Sequence, residues 1–216
     1  MPLVVHSIAH ENLKHHVWGR AFSPPVPAKA GTHWTQFELF SELTLEVLIY
    51  FELMVGKIIQ NPVRPEIFIS KHLIGELTGI CVRALPNKAF GLVGGDDIYH
   101  PKSLYPCSTN LRNAPEWKPI FESFGDFYKD PDLGFVISPP EVKVVMEAIN
   151  SRGESFIGVF HSHRFLSAEP TEIDLALSAD PSLLSYIVSV ANPSAPEIGI
   201  FRLNGGKHQS IPIVEY

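Results

Sequence analysis

Three side chains in the C-terminal half of the sequence have the types and spacing to hold a metal ion: His161, His163 and Asp174. The apolar run Phe156–Phe160 reads as a buried strand. A strand's period of two then puts His161 and His163 on one side of its end. After the connection Arg164 to Pro170, Thr171 followed three residues later by Asp174 is a helix start signal, and the sequence to Leu177 continues the helix. Asp174 would sit in the first turn, facing back toward the strand end. Two neutral imidazoles, one carboxylate and a fourth position left for water form the donor set of a catalytic zinc. Each half of this pattern is generic alone, since Thr-x-x-Asp serves most often as a capping box. It is the strand-to-helix succession of the two that points to Zn²⁺.

The remaining elements can be read around this pair. Glu66–Ile69 predicts a short strand, and Ser70 caps a helix to about Leu85 with Leu73, Leu77, Ile80, Cys81 and Ala84 on one face. Lys88–Gly94 predicts a strand in which Gly91 and Gly94 permit close backbone approach. Asp96-Asp97 predicts a turn before a strand near Ile98–Cys107, and Gly134–Ser138 a further strand. Trp117, Phe121, Phe124, Phe127 and Tyr128 are spaced for one helical face in the core. Pro139-Pro140 opens a helix to about Asn150. Strand Ser155–His161, helix Glu172–Ala179, strand Leu184–Val190 and a hairpin of Glu197–Leu203 with His208–Val214 complete the chain. The fold class expected is α/β, a mixed β-sheet flanked by helices on both faces.

The chain has 216 residues, 45% hydrophobic and 19% charged, which suits a folded domain with an appendage rather than a disordered chain. A formal charge of −6 speaks against a nucleic-acid partner. Cys81 and Cys107 form neither a disulfide framework nor a zinc knuckle. No secretory signal is evident, so a cytoplasmic location is expected. Residues 1–57 read as an N-terminal extension, partly disordered in its His- and Pro-rich first part, and residues 58–216 as the domain. The apolar stretch Phe37–Gln60 carries Glu38, Glu42, Glu46 and Glu52, too many acids for a membrane span, and fits an amphipathic helix. Met54 is a candidate start, and residues 1–53 are expected to be dispensable for folding.

His161-Ser162-His163, the connection ending in Pro170, Thr171 and Asp174 together resemble the His-x-His-x7-Ser-x2-Asp signature of the JAMM (MPN+) zinc metallopeptidases. The resemblance runs from about Ile67 to Ile213. It includes Asn110–Asn113, the acidic-aromatic stretch to Phe135, Pro139-Pro140-Glu141 and Tyr186–Ser189, all similar to the small bacterial members. It implies the MPN/JAB, cytidine-deaminase-like form of the α/β fold, with Zn²⁺ on His161, His163 and Asp174. It also implies hydrolysis of a peptide or isopeptide bond at the C-terminus of a ubiquitin-like or sulfur-carrier protein. Two positions depart from the family. Thr171 replaces a serine that helps stabilise the oxyanion and keeps its hydroxyl, whereas Lys88 replaces the catalytic glutamate, with Phe90 at a family cysteine.

An ammonium at Lys88 cannot copy a carboxylate that takes a proton from water. Three alternatives stay open: Lys88 made neutral beside the metal, a base supplied by Glu169, Glu172 or Asp96, or an inactive MPN-type module that binds without cutting. A cupin is a remote alternative, because Glu169 follows the His-x-His and His208 lies downstream; the helical reading of Glu172–Ala179 opposes it. A zinc deaminase lacks its His-x-Glu and Pro-Cys-x-x-Cys elements.

Overall fold

The computed structural model describes residues 66–130, 133–178 and 180–216. The expected extension over 1–57, its amphipathic helix and the domain boundary at 58 lie outside the described residues.

The first strand, β1 (Ile67–Ile69), leads through the Ser70 cap into helix α1 (Lys71–Arg83), where the Ser70 hydroxyl accepts from the Leu73 N–H at 3.1 Å. Next come β2 (Phe90–Gly95), whose six residues are all buried, and β3 (Pro101–Cys107). A short helix, α2 (Lys118–Glu122), is flanked by 3-10 turns at Leu111–Asn113 and Asp126–Lys129. Helix α3 (Pro139–Ser151) precedes β4 (Ser155–His163), α4 (Glu172–Leu177) and β5 (Leu184–Ser189). Strands β6 (Glu197–Asn204), β7 (Lys207–Ser210) and β8 (Ile213–Glu215) end the chain.

Strands β3-β2-β4-β5-β6-β7 form one sheet in that order. Strand β4 pairs antiparallel with β2 and parallel with β5. Parallel neighbours need a crossover, and here that crossover is the segment containing α4. The sheet therefore obliges the chain leaving His163 to turn back over one face, and Asp174 is carried on that return.

Helices cover both faces, as the sequence led us to expect. On one face Leu73, Leu77 and Cys81 of α1 pack with Val93, Phe160, Tyr186 and Val188. On the other, Val142, Val145 and Ile149 of α3 pack with Phe90, Leu92 and Val159. His161 follows Val159 at the strand period, so it shares the α3 face. Helix α4 adds Ile173 and Leu177 to a cluster with Phe121, Tyr128 and Val136. Gly91 is required by crowding: a Cβ there would lie 2.3 Å from the Tyr105 carbonyl oxygen and 2.6 Å from the Phe160 ring.

Four local expectations are corrected. The aromatic stretch is no single helix; Phe121 and Tyr128 are buried from separate short elements, and Phe127 is exposed. Gly125, with φ +114°, breaks the helical run between them. Gly134–Ser138 forms no strand, only a bridge from Ile137 to Asn110. The strand expected from Ile98 begins at Pro101, because Asp97 instead caps a turn, accepting from the Tyr99 N–H at 2.8 Å. The terminal hairpin stops at Ser210; β8 pairs in parallel with β1. Pro212 has no N–H for a ladder, and its carbonyl accepts from the Ile67 N–H at 2.9 Å. Both cysteines are free. No helix among the described residues is long and apolar enough to cross a membrane.

Candidate metal centre

The end of β4 and the first turn of α4 bring His161, His163 and Asp174 together. The two imidazole Nε2 atoms lie 3.1 Å apart. Asp174 reaches both, with Oδ1 3.3 Å from His161 Nε2 and Oδ2 3.5 Å from His163 Nε2. Zinc bonds of about 2.0–2.1 Å at tetrahedral angles would separate ligand atoms by roughly 3.3 Å. The two nitrogens are close to that separation, each is near one Asp174 oxygen, and with one ligand atom taken from each residue the three lie within 4.8 Å of one another, near enough to converge on one small ion. Both imidazoles are buried.

The surrounding contacts fix which atoms face the centre. His163 Nδ1 lies 2.8 Å from the Ser167 carbonyl oxygen. A carbonyl only accepts, so Nδ1 must carry the proton and Nε2 presents its lone pair inward. Asp174 Oδ2 accepts from the Thr171 N–H at 2.8 Å and from the Thr171 hydroxyl at 2.7 Å. The Thr171 hydroxyl in turn accepts from the Asp174 N–H at 3.5 Å, completing the capping box. Here the cap and the candidate ligand are one structure: Thr171 aims the carboxylate. His161 Nδ1 is buried with no hydrogen-bond partner among the described residues.

Electrostatics agree with the donor role. Burial, only partly offset by Asp174, pushes His161 down to about 4, so its imidazole is neutral near pH 7. Burial would raise the Asp174 carboxyl, but His161, His163 and Lys88 together hold it well below its ordinary value. The trio thus offers a neutral imidazole at His161 and an anionic carboxylate at Asp174. Among the described residues it is the cluster of this kind whose atoms could converge on an ion.

Lys88 lies beside it, though just before β2 rather than within it. The Ala89 N–H donates to the Ser162 hydroxyl at 2.8 Å and the Ser162 N–H donates to the Ala89 carbonyl at 2.9 Å. Phe90 is the register partner of His161. Lys88 Nζ rests 5.7 Å from the centroid of Phe135, whose ring is 5.2 Å from that of His161. Burial lowers Lys88 to about 8; Asp174 opposes the shift and Arg164 adds to it. It therefore remains mainly a cation at pH 7.

Of the other proposed bases, Asp96 and Glu169 are paired elsewhere and Glu172 stands on the first turn of α4. Asp96 pairs with Lys102 at 2.6 Å, and both side chains are exposed. Glu169 meets His208 at 4.0 Å, away from the cluster, and Glu172 is exposed. With α4 helical and Glu169 outside the donor set, the cupin arrangement is not formed.

Sequence reasoning missed four supports: Phe135, the Ser162 latch, the Ser167 carbonyl and Arg164. Arg164 Nη1 donates to the Pro86 carbonyl at 2.7 Å. The alternation His-Ser-His could have signalled Ser162, which must face away from the imidazoles. The carbonyl contacts carry no signal in residue type. Arg112 is a further support, fully buried, with Nε donating to the Leu133 carbonyl at 2.6 Å and Nη2 to the Tyr128 carbonyl. It gathers the loop that leads into Phe135.

Fold and cluster define a mixed α/β domain with a three-donor centre at a strand-to-helix crossover. No family model matches the chain, and no curated protein matches it. Among solved structures the chain is similar to protein DSY2949 from Desulfitobacterium hafniense, at 27% identity and TM-score 0.55, over 69% of this chain and 92% of that one. It is also similar to a protein from Salinibacter ruber, at 20% identity and TM-score 0.47, over 69% and 91%. A third is AF2198, a JAB1/MPN domain protein from Archaeoglobus fulgidus, at 18% identity and TM-score 0.38, over 69% and 98%. The Desulfitobacterium protein is matched over nearly its whole length, so the likeness is to a complete chain rather than to a fragment.

Proposed function

We propose that the chain is a zinc-dependent metallopeptidase or isopeptidase of JAMM type whose turnover is held down by Lys88. The observation that carries this reading is the convergence of His161, His163 and Asp174, one ligand atom from each lying within 4.8 Å of the others, with the Nδ1 proton of His163 fixed by Ser167. Zn²⁺ bound there would polarise a scissile carbonyl and acidify an attacking water. His161 and His163 supply neutral nitrogen donors, and Asp174, aimed by Thr171, supplies the anionic one. The Thr171 hydroxyl is committed to Asp174, so it acts first as a positioning group. Lys88 gives the site a positive charge where the resemblance calls for a proton acceptor. The substrate implied is the C-terminal tail of a ubiquitin-like or sulfur-carrier protein.

The half-buried ammonium of Lys88 beside the donors favours a second reading, an MPN-type module that holds such a tail without cutting it. Metal analysis of the purified chain, together with cleavage of a carrier-tail fusion, separates the two. About one zinc per chain with measurable cleavage supports the peptidase. Zinc with no cleavage supports the binding module, and no zinc sinks the peptidase.

A further inference from the structure

We propose that Lys88, with Arg164 adding to its field, forms an anion subsite beside the three-donor centre that takes the free α-carboxylate of a peptide C-terminus. The peptide's placement rests on the metal-centre reading above; the charge selected rests on Lys88 alone.

The ammonium is held in place, and among the described residues Asp174 is the acid whose charge it feels. Its Nζ lies against the Phe135 ring, which adjoins His161, so it faces the same side of the sheet as the donor trio. Among the described residues no carboxylate forms an ion pair with it. Both Asp174 oxygens are engaged by the histidines and Thr171. A half-buried cation without an anionic partner is costly, and the cost is relieved when a ligand brings the anion. Arg164, held to the Pro86 carbonyl and stacked 5.0 Å from the exposed Phe165 ring, adds positive charge on the same flank.

The chemistry of the anion follows from the site. Hydrolysis of an amide leaves the acyl half ending in a carboxylate, formed where the three donors converge. A glutamate at position 88 would repel that product; a lysine attracts it. The subsite therefore distinguishes a cut or free chain end from an intact amide, by one ammonium–carboxylate contact, with no bond made or broken. Charge-assisted contacts of this kind are the strong ones among hydrogen bonds.

The test is calorimetric titration of the full chain, zinc-loaded and metal-stripped, with an N-acetylated pentapeptide as free acid and as C-terminal amide. Inorganic phosphate serves as the control anion. In the wild type the acid is expected to bind more tightly than the amide by about tenfold or more, even without metal. Lys88→Met should reduce that preference by about tenfold, and Lys88→Arg should keep it. Lys88→Gln is a second neutral variant should the methionine form fail to fold. Equal binding of acid and amide, no measurable binding of either, or a preference undiminished in both neutral variants overturns the subsite. Phosphate displacing the acid at equal concentration overturns the assignment to a peptide end. Zinc content of the same samples reports on the metal centre separately, and the metal-stripped titration decides Lys88 whatever that content is.

Discussion

His163 and Ser167 form a contact that fixes where one ring proton sits: Nδ1 of His163 is 2.8 Å from the Ser167 carbonyl oxygen and so carries a proton, while its Nε2 lies 3.1 Å from that of His161. The connection between β4 and α4 thus does more than link a strand to a helix. It sets a tautomer at one end, and through the Thr171 cap it aims a carboxylate at the other.

Removing one donor should therefore empty the centre. His161→Ala is expected to lower zinc affinity by at least tenfold, since even losses behind the ligands cost about 10–100-fold. Zinc stoichiometry by elemental analysis after dialysis is the measurement. A variant that holds as much zinc as wild type would show that His161 is not a ligand.

The loop after β3 should report acid pH. Glu141, on the first turn of α3, accepts from the Ser108 N–H at 2.7 Å and the Thr109 N–H at 2.9 Å. Its modest burial raises its pKa, but these hydrogen bonds outweigh that and hold the carboxyl below its ordinary 4.5. A carboxylate depressed on folding stabilises the fold above its unfolded pKa, and that stabilisation is lost as the pH falls through the folded value. The melting-temperature gap between wild type and Glu141→Gln should be largest at neutral pH and close as the pH falls below the ordinary carboxylate value and through the depressed one. A gap independent of pH would mean the contacts contribute nothing through charge.

Much of this arrangement was legible in residue types, and the parts that were not share a cause. The histidine alternation, the Thr171 cap and the Pro139 start are local signals, written within one or two turns of chain, and they placed β4, α4 and α3. The rest depended on partners far away in sequence. Pairing of β8 with β1 is decided by where Pro212 meets Ile67, and the apolar pattern of Ile211–Val214 fits a hairpin equally well. Lys88 was aligned with the site only by resemblance; its position beside His161 comes from the Ala89–Ser162 bonds, across 73 residues. Aromatic periodicity over Trp117–Tyr128 misled because the helix ends at Glu122 and Gly125, at positive φ, keeps it from resuming, so Phe121 and Tyr128 are buried from separate short elements.

Two glycines should respond to alanine in opposite directions. A Cβ on Gly91 would meet the Tyr105 carbonyl oxygen at 2.3 Å and the Phe160 ring at 2.6 Å, inside the pairing that positions Phe90 against His161. Gly91→Ala is expected to destabilise by about 1–3 kcal/mol, as overpacking does. Gly75 is exposed within α1, with nothing within 4 Å of its added Cβ. Gly75→Ala should stabilise by roughly 0.5–1 kcal/mol through helix propensity. Urea unfolding of both variants checks the pair; a neutral Gly91→Ala would mean the strands can spread without cost.

In the proposed function Lys88 is what holds turnover down, so its replacement is the most informative change. The side chain leaves the chain just before Phe90, the register partner of His161, and its ammonium lies over Phe135 beside the His161 ring. A glutamate here is one methylene shorter in reach than lysine, yet starts from the same Cα and points to the same side. Lys88→Glu would replace a charge that a zinc ion repels with one it attracts, and would supply a carboxylate able to accept the proton of an attacking water. Cleavage of a carrier-tail fusion, measured as kcat/KM on zinc-loaded protein, should rise by about 10²–10⁴-fold, the usual worth of a positioned general base. The same variant should lose the preference for peptide acids over amides, because the ammonium and the base cannot share one position. Efficient wild-type cleavage, unchanged in Lys88→Glu, would place the base at another residue. Glu172, exposed on the first turn of α4 beside the Thr171 cap, would then be the next carboxylate to replace.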